Sequence, residues 1–191
     1  MDYPLHMLPS TCTVDRKRRL TFKRPWATWL NLIALSLLFV SARPKPDAAP
    51  LRVLIFLETE CPICQKTTGR TQQLADTYAG QVRFEAVFPA ETVTQAEAQA
   101  FATAYSLRLP YQLDPRHKLV KRYRVTTTPE VVLLSADGKV LYQGSVDDQF
   151  YRLGRARPAP TAFYLRDAID ATLTNQPVAI PRTTPVGCLI N

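Results

Sequence analysis

The sequence predicts an α/β fold, a three-layer α/β/α sandwich with a mixed central sheet, preceded by one N-terminal apolar segment. Three observations carry that expectation. The run Leu51–Leu57 (LRVLIFL) is almost continuously apolar, as expected of a strand buried on both faces of a parallel sheet. Segments with strand and helix periodicity then alternate as far as residue 173. A hairpin turn, Ala136-Asp-Gly-Lys139, joins two late strands and adds an antiparallel pair.

Each element has its own reason. After the first strand, a helix over Pro62–Ala79 sets Leu74, Ala75 and Tyr78 on one side and stops at Gly80. Val82–Phe88 (VRFEAVF) reads as a second strand. Thr94 and Glu97 have capping-box spacing and open a helix with the stripe Ala100, Phe101, Ala104 and Tyr105. Pro115–Tyr123 reads as a short basic helix, its His117, Lys118, Lys121 and Arg122 forming a solvated face. Glu130–Ser135 and Val140–Gly144 are the strands of the hairpin. Thr161–Leu173 is a last amphipathic helix carrying Leu165, Ala168, Ile169, Thr172 and Leu173. The order β-α-β-α-α-β-β-α delimits a domain at 51–174. Residues 175–191, with Pro177, Pro181 and Pro185, form an irregular tail that carries Cys188.

Composition narrows the function classes. A chain of 191 residues that is 46% hydrophobic can bury a core without staples, and its four cysteines are too few for a disulfide scaffold. With 21% charged residues it is neither polytopic nor wholly disordered. Half of the net charge of +8 sits in residues 1–25, which hold Arg16, Lys17, Arg18, Arg19, Lys23 and Arg24 against Asp2 and Asp15. That placement argues for a topology signal and against a nucleic-acid partner. Trp26–Ala42 follows, 17 residues without a charge, long enough as a helix for about 25 Å. The basic leader (1–25) belongs in the cytoplasm and the rest outside it. Trp26 and Trp29 suit an anchor, the favoured reading, whereas Val40-Ser-Ala42 would suit cleavage as a signal peptide. Residues 43–50 are a Pro-rich linker. The expected location is a bacterial inner membrane with the domain in the periplasm, or a secreted soluble form if the segment is cleaved.

The chemistry concentrates at Glu60-Cys61-Pro62-Ile63-Cys64, where the first strand passes into the first helix. Cysteines three apart share a helix face and lie within reach of a disulfide. Pro62 suits the first helical position, placing Cys61 at the N-cap, where unpaired N–H groups and the helix dipole favour thiolate. Cys64, one turn in, is the more shielded partner. A static disulfide or half of a zinc site are the alternatives, though ligands to complete a zinc site are scarce. Thr126-Thr-Thr-Pro129-Glu130 precedes a core strand; alone it reads as an ordinary strand-start proline, and beside the strand–CPIC–helix unit a cis bond before Pro129 in a tight turn is the favoured reading.

Taken together, strand–CPIC–helix, Leu113-Asp-Pro with Lys121-Arg-Tyr-Arg-Val and Pro129-Glu130, and Ser135-Ala-Asp-Gly-Lys-Val-Leu-Tyr-Gln-Gly144 resemble the thioredoxin-like superfamily. The likeness is to its membrane-tethered thiol–disulfide oxidoreductases and its redoxin (alkyl hydroperoxide reductase and thiol-specific antioxidant) branch, and covers residues 51–173. The resemblance implies that Cys61 attacks, Cys64 resolves, and Pro129 is cis beside the sulfurs, with flanking backbone that pairs with substrate. It implies protein thiol or disulfide substrates, a membrane or periplasmic electron donor, membrane attachment through the N-terminal segment, and no cofactor or metal beyond the disulfide. A reductant role in extracytoplasmic protein or cytochrome c maturation is part of that expectation.

Departures from the pattern are informative. Thr59-Glu60 replaces the Trp-containing approach to the first cysteine, and Glu58, Glu60 and Glu130 are candidate carboxylates near the sulfurs. One of them could accept a proton from Cys64 or raise a thiol pKa by repulsion. Glu58 stands where peroxidases of the superfamily carry Thr or Ser, which disfavours the alternative of a thiol peroxidase. A thiolate copper- or haem-handling protein is the other alternative, disfavoured by the scarcity of His. Cys188 leaves an odd thiol in the exported part, able to return to the site as a third redox partner, to sit buried, or to pair with another chain.

Overall fold

The computed structural model describes residues 50–190, so the readings at 1–25 and 26–42, and the linker before Pro50, lie outside the described residues. Among the described residues no helix is long and apolar enough to cross a membrane. The chain runs β1 (Leu51–Phe56), α1 (Pro62–Thr77), β2 (Val82–Phe88), α2 (Gln95–Ala104), β3 (Tyr111–Leu113) and α3 (Lys118–Tyr123). It continues through β4 (Thr127–Thr128), β5 (Glu130–Leu134), β6 (Val140–Gly144), β7 (Phe150–Arg152), β8 (Arg155–Ala156), α4 (Tyr164–Leu173) and β9 (Cys188–Leu189).

The main sheet has the order β3-β2-β1-β5-β6, with β1 at its centre. β1 is parallel to β2 and antiparallel to β5, and β5 is antiparallel to β6, so the sheet is mixed. Alternation along the strands divides the core in two. Val53, Ile55, Val131 and Leu133 pack with residues of α1, α2 and α4, whereas Leu54, Phe56, Val132 and Leu134 pack with Leu119, Val120 and Tyr123 of α3. Burial on both faces is why Leu51–Leu57 lacks polar alternation. Truncating Phe56, which is fully buried, would cost about 3–5 kcal/mol.

Several elements differ from the sequence expectation, each for a local reason. The buried face of α1 is Ile63, Cys64, Thr67, Thr68, Thr71 and Gln72, with Leu74 and Ala75 only partly covered. Its threonines are tolerated inside because they satisfy themselves on the preceding turn, Thr68 Oγ1 donating to the Cys64 carbonyl (2.8 Å) and Thr71 Oγ1 to Thr67 (3.2 Å). In α2 the capping box of Thr94 and Glu97 is present, but the inward stripe is Ala98, Phe101, Ala102 and Tyr105, and Ala100 and Ala104 face solvent. α3 starts at Lys118, three residues later than expected, because Asp114 accepts the N–H groups of Lys118, Leu119 and Val120. Asp148 likewise takes the N–H groups of Thr161 and Ala162, and α4 begins only at Tyr164. β3 adds a short parallel strand beside β2 that the sequence pattern did not suggest.

Several polar links tie α1 into this frame. Arg70 pairs with Asp147 after β6 (2.6 Å), and Tyr78 donates to Asp170 of α4 (2.6 Å). The tail beyond α4 follows an irregular path, exposed over much of residues 174–182 and docked from Pro181 onward. Gln143 N–H donates to the Pro181 carbonyl and Thr183 N–H to the Gln143 carbonyl, and the last residues form β9.

Gly69 lies mid-helix in α1, exposed, with no atom within 4 Å of where a Cβ would stand. Gly69→Ala is therefore expected to raise stability by about 0.5–1 kcal/mol, read as a higher urea midpoint with an unchanged m-value.

Candidate active site

The site forms where β1 hands over to α1. Leu57 continues the β1 ladder, its N–H bonded to the Val87 carbonyl (2.9 Å), and Glu58–Glu60 make the turn. Cys61 N–H donates to the Glu58 carbonyl (3.3 Å) and Gln65 Nε2 to the Thr59 carbonyl (3.0 Å), fixing the turn's two ends. Cys61 is the N-cap of α1 in extended backbone, with Pro62 at the first helical position. Its side chain is 1% exposed, and Cys64, one turn in, is fully buried.

Across from this turn, the Thr128–Pro129 peptide bond is cis, and Pro129 is buried. The Thr128 carbonyl oxygen lies 3.4 Å from Cys61 Sγ. The third thiol is here as well: Cys188 Sγ stands 2.6 Å from Cys61 Sγ, at the end of a tail that pairs antiparallel with β4. Cys61, Cys64, Pro129 and Cys188 are thus brought together.

The carboxylates divide differently. Glu60 is exposed on the turn. Glu130 is buried and engaged elsewhere, Oε1 accepting from Gln143 Nε2 (2.6 Å) and Oε2 from the Thr126 N–H (3.2 Å). Alternation along β5 puts it with Val132 and Leu134, whereas the sulfurs belong to the opposite core with Val131 and Leu133. Glu130 therefore anchors the Thr126–Pro129 turn. The residue that meets a sulfur is Glu58, whose N–H donates to Cys64 Sγ (3.4 Å) and whose carboxylate charge acts on Cys188.

The three thiols titrate very differently. Cys61 is lowered to about 5, first by the hydrogen bond from the Cys64 thiol, then, against the effect of burial, by the Cys188 thiol and the N–H groups of Cys64 and Ile63. Desolvation, then the bond to Cys61 and its charge, pushes Cys64 well above an ordinary thiol. Burial and the same neighbour raise Cys188 to about 11. At neutral pH the cluster holds one thiolate, on Cys61, and two thiols that donate to it.

Residues 50–140 match the sequence model of the family described as thioredoxin-like. This part of the chain is a thioredoxin-like domain. No curated protein sequence matches the chain. Among solved structures, a hypothetical protein from Sinorhizobium meliloti superposes with TM-score 0.63 at 25% identity, covering 75% of this chain and 80% of its own. An uncharacterized protein from Geobacillus kaustophilus does so with TM-score 0.63 at 25% identity, covering 75% and 77%. StoA from Bacillus subtilis aligns over 51% of this chain and 75% of its own at 26% identity, but its TM-score of 0.46 is too low to bear on activity. Among the described residues no group of three or more His, Cys, Asp or Glu is disposed to hold a metal ion.

Sequence reasoning missed the strand pairing of the tail and the role of Gly187 within it. The only signal is the short apolar run Val186-Gly-Cys-Leu-Ile190 after a proline-rich stretch, too brief to show a period.

Two measurements check this electrostatic layout. Alkylation of Cys61 in the reduced protein is expected to be half-maximal at about pH 5 and flat to pH 8, whereas an ordinary thiol is half-maximal at about pH 8.5. Glu130→Gln puts an amide NH₂ against a donor and is expected to cost about 1–3 kcal/mol in stability while leaving that pH profile in place; a shifted profile would return Glu130 to the sulfur chemistry.

Proposed function

We propose that this protein is a thiol–disulfide oxidoreductase acting on protein thiols or disulfides outside the cytoplasm. The observation that carries the reading is the placement of two sulfurs one helical turn apart, Cys61 at the N-cap of α1 and Cys64 fully buried behind it, an arrangement that favours thiolate on the first and thiol on the second. Cys61 thiolate attacks one sulfur of a substrate disulfide; that S–S bond breaks, and the other sulfur leaves with the electron pair and takes a proton from solvent. Cys64 then attacks Cys61 Sγ, its proton passing to the departing sulfur. The substrate is released with two thiols and the enzyme with a Cys61–Cys64 disulfide, so two electrons have moved to the substrate. Run in reverse, the same steps oxidise a dithiol.

Stabilising the Cys61 thiolate favours the reduced pair. It raises the reduction potential within the span of about −270 to −120 mV covered by such proteins, and the partner's potential decides the direction. Export and anchoring through residues 26–42 in a bacterial inner membrane, with electrons from a membrane or periplasmic donor, complete the proposal. The redox-active disulfide serves without another cofactor. Reduction of substrate cysteines during extracytoplasmic protein or cytochrome c maturation is the role that such an arrangement would suit.

The test is insulin-disulfide reduction by the purified full chain. Cys61→Ser is expected to fall to the uncatalysed rate, and the double variant Cys64→Ser/Cys188→Ser, which keeps no second thiol beside Cys61, to stop at a mixed disulfide on Cys61; activity retained in Cys61→Ser would end the proposal. The pair also predicts a potential that falls by about 30 mV per pH unit above pH 5, because one proton accompanies two electrons once Cys61 is ionised in the reduced form. Below pH 5 the slope is expected to steepen to about 59 mV per unit.

A further inference from the structure

Cys61 is the nucleophile of the proposed reaction, yet it is 1% exposed, with a segment of its own chain lying over it. That segment is β9. Cys188 is opposite Thr128 and Leu189 opposite Thr127, antiparallel, with Ile190 N–H bonded to the Thr126 carbonyl (3.1 Å) and Thr128 Oγ1 donating to the Cys188 carbonyl (3.4 Å). The strand docks by side chains on both sides of the cysteine. Val186 packs against the first core and lines a small cavity with Ile63 and Pro129, Ile190 packs on the second core, and Leu189 between them is left 75% exposed.

Gly187 is what lets the backbone come this close. A Cβ there would collide with the Thr128 carbonyl. A glycine also serves the tail's other anchor, since a Cβ on Gly144 would collide with Thr183. Thr183 Oγ1 is held by the Ser145 N–H (2.9 Å) and bonds with the Tyr142 hydroxyl (2.7 Å). The tail is fixed at both ends of a defined path that finishes with a thiol on the nucleophile.

We propose that residues 186–190 are a tethered surrogate substrate, a strand seated on Thr127–Thr128 that delivers Cys188 to Cys61 and must leave before another polypeptide can react. This rests on the oxidoreductase reading above. In the oxidised protein the Cys188 thiolate attacks Cys61 Sγ, a Cys61–Cys188 bond forms, the Cys61–Cys64 bond breaks, and Cys64 leaves with the electron pair and takes up a proton. One disulfide replaces another and no external oxidant or reductant is consumed. An incoming substrate competes for the same strand edge and the same sulfur. The tail's pattern describes that substrate: an extended segment with cysteine between apolar residues two positions before and two after.

The experiment uses the full chain, oxidised with glutathione disulfide and digested without reduction for mass spectrometry, alongside insulin-reduction rates. The wild type and Cys64→Ser are expected to yield an intramolecular Cys61–Cys188 peptide. In Gly187→Val, which keeps the thiol but cannot dock, that peptide is expected to vanish while Cys61–Cys64 persists. Its insulin reduction should rise about tenfold, the factor expected if the docked tail leaves the site open one-tenth of the time. Ile190→Asp, which removes an anchor from the other side, should behave in the same way and guards against a folding defect peculiar to Gly187→Val. A missing Cys61–Cys188 peptide, a disulfide-linked dimer in its place, or unchanged rates in both undocked variants would overturn the inference. If these outcomes accompany normal insulin reduction through Cys61–Cys64, the oxidoreductase reading survives; absence of any Cys61 disulfide and of insulin reduction removes both.

Discussion

The antiparallel register between β1 and β5 is the constraint on which the site depends. Phe56, the last residue of β1, lies opposite Glu130, the first of β5. The chain leaving β1 and the chain entering β5 therefore meet at the same end of the sheet, and the turn to Cys61 comes beside Thr128 and Pro129. A slip of one residue would turn Leu54 and Phe56 to the wrong core and carry the sulfur away from the Thr128 carbonyl. The register is secured by burial on both faces of β1, so the reactive geometry draws its precision from hydrophobic packing far more than from polar contacts at the site.

Within that frame, charge is partitioned by depth. Three thiols share one small volume, and only one can ionise cheaply. Cys64 is walled in by α1 and the core, where a charge would lose its water; Cys61 has the helix entrance and two thiol donors. Each neighbour that stays protonated helps Cys61 to ionise by giving it a hydrogen bond. The same hydrogen bonds oppose ionisation of the donors, so the asymmetry between Cys61 and Cys64 follows from their positions rather than from the Pro-Ile dipeptide alone.

The central part of this arrangement was legible in the sequence because its signals are local. An unbroken apolar run marks a central strand, Pro62 marks a helix start, Thr94 with Glu97 marks a cap, and Asp137-Gly138 marks a hairpin. What was not legible depends on contacts distant in the chain. Threonines make a poor apolar stripe, so the sequence pattern points to Leu74, Ala75 and Tyr78 as α1's inward face, of which only Tyr78 is buried; only the packing reveals that Thr68 and Thr71 bond to their own helix and can go inside. The stripe of α2 was displaced toward Ala100 and Ala104 because alanine fits either face. Glu130 was a plausible proton acceptor by proximity along the chain, but strand alternation turns it to the opposite core. The pairing of β9 with β4 joins residues some sixty positions apart, and two-residue strands carry almost no periodic signal.

Pairing at β4 also links protection to reactivity. A short strand with a free edge offers N–H and C=O groups to any extended chain that approaches, which is a hazard in a protein with a thiolate beside that edge. Covering the edge with a segment of the same molecule removes the hazard at a local concentration that no unselected partner reaches. The cover must remain weak enough to be displaced, and its composition fits that need: a two-residue strand, one glycine without side-chain contacts to hold it, and a leucine left in water. A longer or fully apolar strand would seal Cys61 permanently, and a tail without Gly187 could not approach at all. The tail is thus poised between the two, with its own thiol as the link that makes closure responsive to the oxidation state of the sulfur beneath it.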